Sequence, residues 1–379
     1  MKFPLILALP VLLISGLSRA ETSPLTKATE LALKIEGDED QRAAQLYRIA
    51  EARLSAGDIS NAAVLLDHLT GYRRGVLAGR CAEELVRKDP HDDRVGKLEQ
   101  IASKEHDRAT VRQREQVALQ LIILHSMHGE KAGSEPMQRI RHSLMDDESR
   151  LADELLCAAV KHASGSLMDI ATYTSRIKTV CKGNPFPPAV QAARLMLGDR
   201  VDVASVNAAV AIAEGSSVPH ADFLLEVTRR LVAAKDTETA EAMLQKAVND
   251  LRMTPDSLEQ KPALNALLAR VLRMAGQNAQ AARAIEAGER IARKQNPMEC
   301  PGSLAPISIA WQEQGDQKRA AQIMDEVFRD ASANPNPRMR LISGIEICLA
   351  HSEAGMPLQA DTSDRLSGLV SNTAQGTNP

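Results

Sequence analysis

Apolar residues recur at helical spacing between Leu264 and Glu286. The stripe consists of Leu264, Leu267, Leu268, Val271 and Leu272. These positions fall at i, i+3, i+4, i+7 and i+8, which places them on one side of a helix and leaves Asn265, Arg270 and Arg273 off it. Gly276 then interrupts the pattern, because a left-handed residue can end a helix. Apolar residues resume soon after, so the stretch predicts two helices folded back on each other.

The same unit recurs along the chain. Turn signals stand at Gly57, Pro90, Gly129, Gly165, Gly198, Lys235, Gly276, Gly315 and Gly355. In the four best-defined units, an alanine follows the turn by five residues and a larger apolar residue comes four later; the pairs are Ala62 and Leu66, Ala240 and Leu244, Ala281 and Ile285, and Ala320 and Met324. A small residue lets two helices approach closely, and the larger one fills the space a turn away. An average spacing of about 37 residues predicts stacked helical units, so we expect an α-solenoid.

Composition supports an all-α fold. Of 379 residues, 44% are hydrophobic and only 2% are aromatic. Alanine and leucine dominate the apolar set, which suits packed helices better than strands. The net charge of -3 and the scarcity of stacking rings argue against nucleic acid or an anionic membrane surface as a partner.

Residues 1–20 are predicted to be a signal peptide rather than part of the fold. Lys2 precedes a largely apolar stretch, and Ser18 and Ala20 supply small residues at a cleavage site. The apolar stretch is shorter than a membrane span requires, although an uncleaved anchor is the alternative. We therefore expect export to the periplasm or the extracellular space, with a mature chain that starts at Glu21 and binds no membrane by insertion.

The remaining chain divides into four predicted segments. Residues 21–40 form a linker and a short helix, and residues 41–183 form the N-terminal helical repeats. Residues 184–370 carry three of the four best-defined repeats and begin at a proline-rich stretch. Residues 371–379 are a polar tail, and we expect the hairpin before it to cap the solenoid.

The turn chemistry resembles a known repeat family. The stretches Ala56 to Leu66 and Glu313 to Met324, each with a Gly-Asp turn followed by the alanine spacing, are similar to the second half of a tetratricopeptide repeat (TPR). The resemblance implies a right-handed α-solenoid of stacked antiparallel helix hairpins. The spacing exceeds the usual 34 residues of that repeat, and a HEAT-type or other helical repeat is the alternative for residues 71–219.

No residue pattern indicates catalysis, a metal or a cofactor. His125 and His128 lie at i and i+3, but neither a third ligand nor an HExxH pattern accompanies them. The five cysteines are irregularly spaced and odd in number, so we expect mostly buried, unreactive thiols. We find no phosphate-binding or dinucleotide-binding loop, and the chain is predicted not to be an enzyme.

The predicted function is binding of a protein or peptide partner. In the TPR family, the first helix of each hairpin lines the concave groove. Carried over to this chain, the resemblance implies partner contacts at Arg229, Arg270, Arg273, Gln312 and Glu313. Three arginines on successive helices would suit a carboxylate or an acidic peptide, since arginine donates two parallel hydrogen bonds. The alternatives are a charged face that only keeps the solenoid soluble and, in another class, a helical-superstructure hydrolase of cell-wall glycans.

Overall fold

The computed structural model describes residues 23–129, 134–144 and 146–374, and within these ranges the regular structure is helical, with nineteen α-helices and no strand. The predicted signal peptide lies outside the described residues. The helices are α1 (Pro24–Leu33), α2 (Glu39–Ser55), α3 (Ile59–Val64), α4 (Gly71–Lys88), α5 (Arg94–Arg108), α6 (Val111–Met127), α7 (Glu135–Arg141), α8 (Asp147–Ala163), α9 (Ile170–Cys181), α10 (Pro187–Leu197), α11 (Val203–Glu214), α12 (Ala221–Ala233), α13 (Thr237–Met253), α14 (Lys261–Met274), α15 (Asn278–Ala292), α16 (Ala305–Gln314), α17 (Gln317–Ala333), α18 (Pro337–Glu353) and α19 (Ala360–Ala374). A 3₁₀ turn, Leu65–His68, continues α3.

The pair predicted between Leu264 and Glu286 is confirmed as α14 and α15, which pack against each other. Gly276 between them has φ +75°. One part of the predicted stripe is wrong: Asn265 is buried, whereas Leu264 and Leu267 are half-buried. The Asn265 amide donates to the Lys261 carbonyl at 2.9 Å, which satisfies its polar group inside the helix. The buried side of α14 is therefore rotated from the purely apolar stripe.

Positive φ angles mark eight of the nine predicted turns: Gly57, Gly129, Gly165, Gly198, Lys235, Gly276, Gly315 and Gly355. The residue after the turn closes the helix by reaching back, as where Asp316 N donates to Trp311 O at 3.1 Å. The Asp316 side chain then accepts from Arg319 N at 3.0 Å and caps α17. A Gly-Asp turn thus ends one helix and begins the next.

The alanines that follow the four best-defined turns are buried, as predicted: Ala62, Ala240, Ala281 and Ala320. The last unit departs from this pattern. There Ala360 is exposed and Leu358 is buried in its place. Tight packing of the two helices at a small residue is therefore a property of the earlier units.

Helix contacts follow an alternating order along the chain. Helix α12 packs on α13, α14 on α15 and α16 on α17, while α12, α14, α16 and α18 also pack in succession on one another. In the first part of the chain α2, α4, α6, α8 and α10 make the same kind of succession. The Arg194 side chain, 2.6 Å from Asp222, joins α10 to α12. These contacts support the helical repeat character that the spacing predicts.

The two ends of the helical array meet. Helix α1 packs on α18, and α18 also packs on α2. Gly344 in α18 makes this approach close, because a Cβ at that position would lie 2.9 Å from Leu31 Cδ1. The succession of helix contacts therefore returns to its starting point.

This closure corrects the expected C-terminal cap. Helix α18 is buried along residues 341–345 and 347–351, as is typical of a helix covered by neighbours on most sides. Those neighbours are α1, α2, α16, α17 and α19. The prediction of a free cap is wrong for α18, although α19 keeps a polar side with Asp361 and Asp364 exposed. Helix α19 continues to Ala374, into the predicted tail from 371 to 379.

Two hydrophobic cores lie within the described residues. The larger contains residues from α1 to α19, and the smaller gathers α8, α9 and α10 with Ile123 and Ile212. Phe186 and Ala189 belong to the smaller core, so this core crosses the segment boundary predicted at residue 184. In the part of the chain that the structure describes, we find no helix with the length and apolarity needed to cross a membrane.

Candidate functional site

The structure brings three of the five residues predicted to contact a partner into one cluster. Arg270 and Arg273 lie in α14, and Glu313 lies in α16, which packs beside it. Arg229 is exposed on α12, and the half-buried Gln312 precedes Glu313. The cluster of Arg270, Arg273 and Glu313 is called the Glu313 cluster below.

Glu313 binds both arginines of its cluster. Arg270 Nε lies 3.0 Å from Glu313 Oε2 and 3.2 Å from Oε1. Arg273 Nη2 lies 2.9 Å from Oε1, and Arg273 Nη1 donates to the Glu313 backbone carbonyl. Only 14% of the Arg270 side chain and 10% of the Glu313 side chain are exposed, against 36% for Arg273. Arg270 is thus held in a protected ion pair, whereas Arg273 reaches solvent.

Equivalent helix positions explain this pairing. Arg273 is the residue before the last in α14, and Glu313 is the residue before the last in α16. Because the two helices pack side by side, residues at the same distance from their ends become neighbours. An incoming carboxylate would compete with Glu313 for Arg270, so the Glu313 cluster is less suited to anions than three unpaired arginines would be.

Further charges from α2 and α18 adjoin the cluster. Arg48 Nη2 donates to Glu346 Oε2 at 3.0 Å, which joins α2 to α18. Arg270 Nη1 donates to the Glu353 carbonyl at 3.2 Å. Burial raises the pKa of Glu353, an effect that Arg270 partly offsets and the negative charge of Glu346 reinforces. We call this surface the charged face; its members are Arg48, Arg270, Arg273, Glu313, Glu346 and Glu353.

The charged face is balanced, with three arginines and three glutamates. Glu353 is exposed by area, yet protein atoms around it disfavour its ionised form. The face therefore combines access with a partly desolvated setting, which strengthens any new charge pair formed there.

A separate cleft lies between α15 and α17, with a volume of about 370 Å³. Glu289 is its centre: it accepts from Trp311 Nε1 at 3.0 Å and from Arg293 Nε at 3.0 Å, and it forms an ion pair with Arg319, whose Nη2 lies 2.9 Å away. Burial alone would raise the pKa of Glu289, but these hydrogen bonds and charges lower it. The guanidinium of Arg319 also covers the Trp311 ring at 4.2 Å. The cleft was not predicted from the sequence, in which the one available signal was Trp311, the single tryptophan of the chain.

The charges of this cleft cancel. Its lining residues are Glu289, Arg293, Asp316, Lys318, Arg319, Gln322, Ile323 and Glu326. Arg293 already bridges Glu289 and Glu326, the latter at 2.6 Å. The arrangement holds α15 and α17 together and gives no net charge with which to select an ionic ligand.

Packing accounts for His125 and for three of the five cysteines, whereas His128 is exposed. His125 is buried, with Nε2 3.6 Å from Glu99 Oε1. Cys81, Cys181 and Cys348 are buried and the other two cysteines are half-buried; all five are free thiols. Across residues 23–129, 134–144 and 146–374, no group of three or more His, Cys, Asp or Glu side chains is placed to hold a metal ion.

Comparison with known proteins gives one structural likeness. No family model matches the chain, and no curated protein matches it. Among solved structures, the chain is similar to a circular tandem repeat protein with novel repeat topology and enhanced subunit contact surfaces, at 15% identity over 93% of this chain and 82% of that chain. The TM-score is 0.16. At so low a score, the helical repeat character rests on the turns and helix contacts of this chain itself.

Proposed function

We propose that the chain is a non-enzymatic protein-interaction scaffold that acts in the periplasm or extracellular space after removal of residues 1–20. In this proposal its helices form a right-handed solenoid of stacked antiparallel hairpins of the TPR type. The recurring left-handed turns and the succession of α12, α14, α16 and α18 support that geometry. Such repeat arrays provide extended binding surfaces.

The observation that carries the proposed binding site is the exposure and the pairing of the Arg229 guanidinium. This residue is exposed on α12, and no other described residue forms a hydrogen bond or ion pair with its guanidinium. Arg270, one repeat later, is occupied by Glu313. We therefore assign contact with the partner to Arg229, to the partly exposed Arg273 and to the half-buried Gln312. Arg270 and Glu313 orient that surface.

The chemistry of these groups selects an acidic segment of the partner. A guanidinium binds a carboxylate through two parallel hydrogen bonds, and two arginines on adjacent helices can bind two successive carboxylates. Exposed pairs contribute little each, so the affinity must also draw on shape and on the neighbouring helix surfaces. We expect the interaction to weaken with added salt.

Crosslinking and mass spectrometry in the exported fraction test this function. The variants are Arg229→Glu and a matched control, Arg252→Glu, at another exposed arginine on α13. We expect the wild type and the control to capture the same protein, and we expect Arg229→Glu to bind that purified protein at least tenfold more weakly by calorimetry. That factor corresponds to about 1.4 kcal/mol, within the range of one lost and reversed charge contact.

Two outcomes would contradict the proposal at different levels. If Arg229→Glu binds the captured protein as tightly as the control does, the assignment of Arg229 is wrong while the scaffold function stands. If the wild type captures no protein above the level of a non-specific control, the scaffold function itself is refuted.

A further inference from the structure

Helix α1 covers the joint between the two ends of the array. Leu25, Ala28, Leu31 and Ala32 are buried, and the helix packs on α18 and α2. Leu31 lies in the gap that Gly344 leaves in α18. The apolar side of α1 thus completes the core at that joint.

Hydrogen bonds from α1 to the rest of the protein come from its edges. Lys27 Nζ donates to Ser367 Oγ in α19 at 3.0 Å. Arg53 Nη2 donates to Thr29 Oγ1 at 3.4 Å, near the upper limit for a hydrogen bond. Arg53 also pairs with Asp58 at 2.9 Å, so it keeps a partner without α1.

The balance for docking α1 is close. A helix of ten residues is not stable alone in water. Its ordering entropy is opposed by the burial of Leu25, Leu31 and Ile35 with two alanines, which is a small apolar set for a segment of this length. Short terminal elements of this kind lie at the low-stability end of a fold.

The joint keeps other contacts when α1 is absent. Arg48 and Glu346 join α2 to α18, and Arg338 Nη1 lies 3.2 Å from Asp38 Oδ2. The linker from Lys34 to Asp38 passes through Gly37, at φ +71°, so α1 can pivot without disturbing α2. Departure of α1 would uncover the side of α18 that holds Gly344 and Cys348.

We propose that α1 is a releasable latch: it detaches while the other helices stay folded, and its release uncovers the apolar side of α18 beside the joint with α2. The proposal is independent of any binding partner. It gives the array two states, one closed by α1 and one in which the apolar side of α18 is accessible.

Cys348 supplies the reporter for this test. It is fully buried in α18, next to Lys27 and Glu30 of α1. Cys81, equally buried in α4, reports opening elsewhere. Two variants of the full chain would each retain one of these cysteines, with the others replaced by alanine, and would be labelled with a thiol reagent under native conditions.

The result expected is specific to one cysteine. Leu31→Ala should accelerate labelling of Cys348 at least tenfold, because it removes the side chain packed against Gly344, and should leave Cys81 unchanged. Leu272→Ala in α14 is the matched control and should not act on Cys348 selectively. The proposal is overturned if Leu31→Ala leaves the Cys348 rate unchanged, or if it accelerates both cysteines equally.

Hydrogen exchange on the wild-type chain gives a second test that needs no substitution. We expect the backbone amides of α1 to exchange at least tenfold faster than those of α18, on which it packs. Equal protection of α1 and α18 would show that they open together, and the latch would then be refuted.

Discussion

The Glu313 cluster yields a quantitative prediction about how its arginines are used. Replacing Glu313 with Gln keeps the shape of the side chain and removes its charge. Breaking a buried ion pair costs about 3–5 kcal/mol, whereas an exposed pair contributes about 0–1 kcal/mol. Arg270 is 14% exposed and Arg273 36% exposed, so the two pairs fall at different points between these limits. We expect Glu313→Gln to lower the free energy of unfolding by about 2–3 kcal/mol, mostly through Arg270.

A double-mutant cycle measures the share of Arg270. The variants are Glu313→Gln, Arg270→Met and both together, unfolded in urea and followed by circular dichroism and by the fluorescence of Trp311, which is 5% exposed. We expect a coupling energy of about 2 kcal/mol. The control cycle uses Arg329 and Asp330, 3.7 Å apart with the Arg329 side chain 71% exposed, and should give less than about 0.5 kcal/mol.

A coupling between Glu313 and Arg270 no larger than that control would refute the reasoning. Arg270 would then be energetically independent of Glu313. Its guanidinium would become as suitable for contact with a partner as that of Arg229, and the binding surface proposed above would have to include it.

Two further predictions concern the turns and a buried thiol. Lys235 has φ +62° where equivalent turns have glycine. A left-handed conformation costs a residue with a side chain about 1–2 kcal/mol, and glycine loses part of this gain because its unfolded chain has more conformational entropy. Lys235→Gly should therefore raise the free energy of unfolding in urea by about 0.5–1 kcal/mol. A urea midpoint lower than that of the wild type for Lys235→Gly would contradict this prediction. Burial raises the pKa of Cys348 from 9.0 to about 12, so the stability that this thiol carries is fully present below pH 9 and is lost as pH rises toward 12. Between pH 9 and 10 the wild type should therefore lose about 1 kcal/mol more than Cys348→Ala, and equal losses would show that the folded thiol titrates normally.

Local chemistry made the turns predictable. Gly276 and Gly315 were found because a left-handed residue ends a helix wherever it stands, whatever the helix packs against. The buried alanines at 281 and 320 followed from the same local spacing. Asn265 was misplaced because side-chain polarity suggests solvent, whereas its hydrogen bond to Lys261 lies within its own helix.

Contacts between distant segments were not predictable in the same way. Arg270 and Arg273 stood out as cations, but their pairing depends on the side-by-side packing of α14 and α16, which the sequence pattern does not align to the residue. The meeting of α1 and α18 joins parts of the chain about 310 residues apart. One signal was available: among Asp, Glu, Lys and Arg, residues 341–351 of α18 include only Glu346, so this helix needed neighbours on most sides.

The meeting of α1 and α18 also sets an order of events in folding. Helix α1 is made early in synthesis, but the surface it packs on is made near the end. Closing a flexible loop of about 310 residues would cost about 5 kcal/mol in chain entropy. Folding of the intervening helices removes that cost by carrying the two ends toward each other. We therefore expect α1 to be synthesised before the other described helices and to be among the last to reach its native place, so a chain truncated before α18 would leave the apolar residues of α1 available to chaperones and proteases.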